Sequence, residues 1–437
     1  MEDGKFMYEL AQQLFPINRS LTGEGVRRTL HILQELVPRL QIYEVPTGTK
    51  AFDWTVPNEW NIRDGFIADE AGNRVISFEE NNLHIVGYSV PVDRVVELEE
   101  LKRHIYVQED AEDWIPYVTS YYKERFGFCM SKKQREELTP GKYRMYIDST
   151  LKPGSLTYGE LVIPATQPVQ GKDELLISTY ICHPSMANNE LSGPCVAAAL
   201  ARWVEAQPKR RFTYRFIFVP ETLGSLVYLS KRAGHLKKHL YAGFNLSCVG
   251  DDRTYSYVET RYADTVTDRV LANILPYHTA SYTAYSFLER GSDERQYNAP
   301  GIDLPVCTVC RSKFGEYPEY HTSADDLSLI SPQGLEGSLQ LMKKCLEGLE
   351  SNLYYRATCL GEPQLGKRGL YPTESYKGSA NGVRRMMDLL AYADGRNDLI
   401  EIGSRIGAPV NELRPIAERL EEAGLLEEKS ERVEARG

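Results

Sequence analysis

Three residues of this chain have the side-chain types and the placing for hydrolytic chemistry: His183, Glu221 and His321. Each follows, directly or after a short loop, an apolar strand-like run: ELLISTYIC, RFTYRFIFVP and GIDLPVCTVC. Open α/β sheets bind ligands in the crevice beyond the carboxyl ends of their strands. Neutral imidazole is the usual zinc ligand. A carboxylate near a metal-bound water can take its proton, because the metal lowers the pKa of that water toward about 7. The pattern predicts a metal site with Glu221 as general base; the bland alternative for Glu221 is a carboxylate favoured by the positive end of the following helix.

The neighbours of these residues extend the expected site. His183 lies in CHPSMANNELSG, which leaves one strand and enters a helix near Asn189. Glu190 is the preferred oxygen donor to the metal and Asn188 the alternative, while plain helix capping would also account for Asn-Asn-Glu. His321 sits in YHTSADD, where Asp325 or Asp326 is spaced to orient the imidazole as an outer acceptor. The remaining histidines, 31, 84, 104, 235, 239 and 278, lack comparable polar company and read as structural or surface residues. In the charged run around GSDERQ, Arg290, Asp293, Glu294 and Arg295 suit the polar ends of a substrate, and surface salt bridging is the competing reading. Tyr320, beside His321, joins Arg290, Asp293 and Glu294 as a substrate-binding candidate.

The elements that must position these groups alternate from residue 158 onward. Apolar strands such as FTYRFIFV and GFNLSCV are separated by amphipathic helices, which predicts an α/β domain with a mainly parallel sheet covered on both faces. Residues 47–157 instead show short β-like runs broken by Pro, Gly and Asn, as in an inserted β domain. The α/β domain is therefore discontinuous, 1–46 with 158–355. A Gly- and Pro-containing linker leads to three short helical patterns in 366–437, as in winged-helix modules.

Composition narrows the function. The net charge of -10 gives nothing to attract phosphates. Over 409–423 four glutamates, 412, 418, 421 and 422, face only Arg414 and Arg419, so no nucleic-acid partner is expected and the C-terminal module suits docking or a homo-oligomer contact. No apolar run reaches the ~18 residues of a membrane span, and the acidic start MEDGKFMYEL is unlike a signal peptide. A cytoplasmic protein without a membrane partner is expected. The eight scattered cysteines read as reduced, and Cys307-x-x-Cys310, inside an apolar run, reads as core and not as a zinc ribbon.

In this order, the LSG helix entry, ETLGS, FNLSCVG, GSDERQY and YHTSADDL resemble the dinuclear zinc aminopeptidase superfamily, which includes glutaminyl cyclases. RSLTGEGVRRTL, VPTGTKAFDW, PNEWNIRD, NNLHIVGYS, CHPSMANNELSGP and EYPEYHTSADDL are similar to an aminopeptidase-like family with an inserted β domain and a C-terminal winged helix. That resemblance implies a zinc-exopeptidase-like fold and a link with surface-polysaccharide biosynthesis. It also marks departures. Where the dinuclear enzymes carry a bridging Asp, a second Glu and a strand-end Asp, this chain has Asn188, Thr222 and Ser247. Two zinc ions about 3.5–4 Å apart need carboxylates to offset their repulsion, so one zinc held by His183, His321 and one oxygen ligand is expected.

The expected function is zinc-dependent cleavage of an amide in a peptide or small molecule, in the manner of an aminopeptidase. Two alternatives remain at this point: an amidohydrolase acting on an N-acylated sugar, and a non-catalytic binding or assembly protein on a degenerate peptidase fold.

Overall fold

The computed structural model describes residues 2–121, 123–370, 380–429 and 432–433. An eight-stranded sheet runs in the order Gln41–Pro46, Ser155–Ile163, Thr213–Val219, Glu174–Tyr180, Leu240–Leu246, Val306–Cys310, Ser256–Val258, Thr283–Tyr285. Its centre, from Thr213–Val219 to Val306–Cys310, is parallel, and antiparallel pairs flank it. These central strands are buried along nearly their whole length, as expected where helices cover both faces. Leu175 and Ile177 enter one core, with helices Glu2–Leu14, Ser192–Ala206 and Pro332–Ser351, while Leu176 points to the opposite core, with Leu223–His239. The alternation follows from the two-residue period of a strand.

The insertion leaves the sheet after Gln41–Pro46 and returns at Ser155–Ile163, two strands that pair side by side, Pro46 opposite Ser155. Entry and exit are thus neighbours, so the insertion does not stretch the sheet. It carries its own antiparallel sheet, in the order Arg74–Ser77, Glu59–Ala68, Lys142–Lys152, Val92–Glu97, closed over a core of Ile67, Ile76, Phe128, Met145 and Ile147. The insertion also sets a helix start in the main domain. Helix Glu24–Leu36 is capped by Asn61, whose Oδ1 accepts the Glu24 N–H at 2.7 Å. Gly23 precedes it at φ 101, where any Cβ would come within 2.2 Å of the Trp60 carbonyl.

At the C-terminal end, helices Ala380–Tyr392, Leu399–Ile406 and Val410–Glu422 pack with a three-stranded sheet of Asp394–Asp398, Tyr354–Ala357 and Leu426–Lys429. Its central strand, Tyr354–Ala357, precedes the linker, and its first half falls in the stretch assigned from sequence to the α/β domain. The module shares one continuous apolar core with the main domain. Asn273 fastens the junction, accepting from Val410 N at 2.8 Å and donating to the Ala408 carbonyl at 3.1 Å. No helix among the described residues is long and apolar enough to cross a membrane.

Candidate metal and active site

Four strands end at one edge, and the turn after each brings side chains to a common place. His183 stands three residues beyond Glu174–Tyr180, Glu221 two beyond Thr213–Val219, Ser247 directly after Leu240–Leu246, and His321 in the long loop after Val306–Cys310. The backbone at this edge is strained. Ser185, Thr222, Cys248 and His321 all have positive φ (38°, 63°, 53° and 57°) without being glycine. Such conformations cost of order 1–3 kcal/mol each and concentrate at functional sites.

The His183 and His321 rings lie 5.3 Å apart, centroid to centroid, tilted by 42°. Two imidazoles bound to one tetrahedral ion through nitrogens at about 2.0–2.1 Å have centroids about 5 Å apart, so this spacing fits a shared cation. Glu221 Oε2 is 3.8 Å from His183 Nε2. The other ring nitrogen, Nδ1, meets Glu190 Oε2 at 2.9 Å. Both histidines are neutral, the form that ligates: burial and the charge of Arg19 depress His183 to about 3, and burial and His183 depress His321 to about 3. Burial, with Asp293 nearby, raises the Glu221 carboxyl to about 8.

The acceptors left over favour a cation. His321 Nε2, Asn189 Oδ1 and Asp293 Oδ2 are buried with no hydrogen-bond donor among the described residues, and an unmatched buried polar atom costs about 1–3 kcal/mol. Two neutral nitrogens beside a carboxyl, with an unmatched carbonyl oxygen near, form a donor set suited to zinc.

The residues expected to form one ligand shell fall on two sides of His183. Glu190 shares the Nδ1 side with Cys182, whose Sγ is 3.5 Å from that nitrogen, and these three could hold an ion among themselves. Yet the buried Arg19 guanidinium already sits there, its Nε 3.5 Å from Glu190 Oε1 and 3.0 Å from the His183 carbonyl. Burial pushes Glu190 up to about 8 while Arg19, which keeps its proton in proteins, pulls it down; we read Glu190 as ionised in this pair. A second cation beside Arg19 would be repelled. Glu190 is thus placed to fix the tautomer of His183, and the other ring nitrogen, Nε2, faces Glu221.

Other expected residues have different duties. Asn188 is turned away: its Oδ1 accepts from Gly250 N and Asp251 N, and its amide donates to Asp251 Oδ2 at 3.0 Å, so its oxygen has no lone pair left for a metal. Asn189 is the one whose oxygen is free, its amide donating to the Tyr180 hydroxyl at 2.7 Å. Asp325 does not orient His321; it accepts from the N–H groups of Asn188 and Asn189 and from the Tyr317 hydroxyl, closing the wide π turn Ala187–Leu191. Asp326 caps Ser328 instead.

The GSDERQ run is not a surface cluster. Asp293 Oδ1 accepts from Thr222 N and the Ser225 hydroxyl, and burial raises this carboxyl to about 6. Glu294 accepts from the N–H groups of Gly291 and Ser292 and from the Thr308 hydroxyl. Both are fully buried, with no room for a substrate ammonium against Glu294. Arg290 is exposed and rests its guanidinium over Phe287, away from the histidines. Tyr320 does belong to the site, stacked on His321 with centroids 3.9 Å apart.

Sequence reasoning missed Arg19, Cys182, Tyr117 and Tyr180. Cys182 could have been found from its place beside His183 at the strand end. Arg19, 164 residues from His183 in sequence, carries no local signal. Tyr117 comes from the insertion, its ring 5.2 Å from His183 and 5.1 Å from His321, forming a roof.

The profile described as "Domain of unknown function (DUF4910)" matches residues 8–352. The chain belongs to that family. A winged helix-turn-helix profile matches 353–428, the C-terminal module. The chain is 39% identical over 435 residues to a Clostridium acetobutylicum protein described as a polysaccharide biosynthesis protein with an aminopeptidase-like domain, covering 97% of this chain and 96% of that one. A crystal structure of a peptidase assigned to the same organism superposes with TM-score 0.90 at 39% identity, covering 98% of this chain and 97% of that chain. The fold is also that of BSAP, a zinc aminopeptidase from Bacillus subtilis (TM-score 0.55, 14% identity, 77% of this chain and 93% of that one). A peptidase M28 precursor from Shewanella amazonensis is similar at TM-score 0.54 and 13% identity, with 77% and 91% covered. The chain is thus aminopeptidase-like in fold, with a winged-helix module after that domain.

Proposed function

We propose that this protein is a metal-dependent hydrolase of small amides, using a single zinc ion held by His183 and His321. The observation that carries this reading is a pair of neutral imidazoles with ring centroids 5.3 Å apart at the strained sheet edge, one of them 3.8 Å from the Glu221 carboxyl and the other with its Nε2 buried and unmatched among the described residues. Bound zinc would polarise the scissile carbonyl and acidify a water. Glu221 would receive the proton of the attacking water at Oε2 and return it to the leaving amine. Glu190 holds His183 with Nδ1–H toward itself, which leaves Nε2 free to ligate.

Two features support one ion over two. Thr222 Oγ1 accepts from Arg295 Nη2 at 2.5 Å, and the Ser247 hydroxyl is 2.5 Å from that of Tyr180, so neutral groups committed to other partners stand where further anionic ligands would be needed. The roof of Tyr117 supports a small substrate over a polypeptide. The relative described as a polysaccharide biosynthesis protein makes an N-acylated amino sugar a candidate alongside aminoacyl amides.

The test joins metal analysis to one substitution. Purified protein should hold one equivalent of zinc, and Glu221→Gln should keep it while losing about 10²–10⁴-fold in turnover on a panel of aminoacyl and N-acyl-sugar amides. Protein that neither holds nor takes up zinc would instead favour a binding or assembly role on a peptidase-like fold.

A further inference from the structure

Arg295 stands at the mouth of the site with its bonding capacity largely unused. Its single hydrogen bond among the described residues runs from Nη2 to the hydroxyl of Thr222, the residue after Glu221. That bond aims the guanidinium toward the reacting carboxyl without consuming it. Nε is buried and has no partner, although the side chain as a whole is partly open to solvent. The charge of Arg295 reaches the Glu221 and Asp293 carboxyls at longer range, and it forms no ion pair among the described residues. Asp293 is engaged by Thr222 N and Ser225, and Glu294 by Gly291, Ser292 and Thr308. Tyr320 shares the same electrostatic neighbourhood, and no hydrogen bond among the described residues occupies its hydroxyl. Two unspent donors, one cationic and one phenolic, therefore flank the opening beside Glu221.

An arginine fork presents its N–H groups at the spacing of a carboxylate. Leaving a buried Nε unmatched has a cost that a bound oxyanion would remove. A single guanidinium, with acidic side chains behind it, balances a monoanion better than a dianionic phosphate. We propose that Arg295 and Tyr320 form a subsite for a carboxylate, so that the small amide cleaved here carries a carboxylate close to its scissile bond. The substrate class rests on the hydrolase reading; the carboxylate subsite itself does not.

The experiment uses the full chain and binding, so that it does not depend on turnover. N-acetylglycine, its neutral analogue N-acetylglycinamide and inorganic phosphate are titrated calorimetrically into wild type, Arg295→Lys and Arg295→Ala, each with and without added zinc, after the variants' melting curves establish that they fold. Wild type should bind the acid at least about ten-fold more tightly than the amide, the size of one charge-assisted contact. Arg295→Ala should abolish the preference, and Arg295→Lys should retain only part of it, because an ammonium cannot grip both oxygens. Equal binding of acid and amide by wild type would overturn the proposal whatever the variants do, as would an unchanged preference in a folded Arg295→Ala or tighter binding of phosphate than of the acid. Absence of hydrolysis with the acid preference intact would leave the subsite standing and remove the hydrolase reading alone.

Discussion

The N–H of Tyr117, deep in the inserted domain, donates to the carbonyl of His321 at 2.8 Å, while its ring meets that imidazole edge-on. The tie continues along the chain: Ile115 N donates to Ser323 Oγ at 2.9 Å, and Ser323 N donates to the Ile115 carbonyl. The insertion therefore holds the loop that carries His321, whose φ of 57° needs such an external restraint. Tyr117→Ala should leave the two cores folded but loosen this loop. Zinc should be lost to a chelator about ten-fold faster than from wild type, whereas Tyr117→Phe, which loses only the 3.0 Å contact with the Tyr121 hydroxyl, should stay near wild type.

The two sides of His183 make different predictions for metal binding. Cys182→Ser should retain zinc, because the thiol faces Nδ1 and only accepts the Glu221 N–H at 3.2 Å. Glu190→Gln should weaken zinc by about 10–100-fold, the usual cost of removing a carboxylate that orients a ligating histidine. It should also lower stability by about 3–5 kcal/mol, since it leaves the buried Arg19 without a counter-charge. Competition with a chromophoric chelator and thermal melts measure both effects. Loss of zinc in Cys182→Ser with retention in Glu190→Gln would put the ion on the wrong side of the ring in our account.

Much of this arrangement was legible in the sequence, for a physical reason. His183, Glu221 and His321 each follow an apolar run, and a parallel sheet delivers strand ends to one edge. What was illegible depends on non-local burial. Asp293 and Glu294 sit in a charged run that reads as surface, yet turn N–H groups and hydroxyls satisfy them inside. Asn188 and Asn189 are adjacent and alike, and only the π turn decides which oxygen is left free. Arg19 and Tyr117 reach the site from segments whose own patterns say nothing about histidines far along the chain.

Acid should attack the far side of the sheet first. Arg215 bridges Glu174 (2.9 Å) and Glu160 (2.5 Å), with His235 also on Glu174 at 2.8 Å. Burial opposes the Glu174 charge, but the hydrogen bonds and charges of Arg215 and His235 outweigh it, so its pKa lies below the ordinary 4.5. A depressed folded-state pKa gives stability that is complete above the unfolded value and fades as pH falls through the folded one. Stability should hold near neutrality and decline below about pH 4.5. Glu174→Gln should cost about 1–3 kcal/mol at pH 7, less than a fully orphaned arginine because Glu160 remains, and should flatten the decline in urea melts taken between pH 5 and pH 3.

The C-terminal module should melt with the rest of the chain. Helix Val410–Glu422 starts against helix Pro332–Ser351: a Cβ on Gly348 would meet Val410 Cγ1 at 2.8 Å, and Asn411 donates to the Lys344 carbonyl at 3.1 Å. Since the two units share one apolar core, calorimetry of the full chain should show a single transition. Asn273→Ala removes the acceptor for Val410 N and the donor to the Ala408 carbonyl, both buried, at about 2–4 kcal/mol in total. That loss falls on the junction and not on either core, so the variant should show an earlier transition for the module ahead of the main one. Two transitions already present in the wild type would mean that the shared core does not couple the units. The same packing limits DNA recognition, because Val410, which opens the helix that would enter a groove, is buried against helix Pro332–Ser351, and the exposed residues of that helix include Glu412, Glu418 and Glu422 beside Arg419. Full-length protein should accordingly give no salt-sensitive shift with duplex DNA at micromolar concentration.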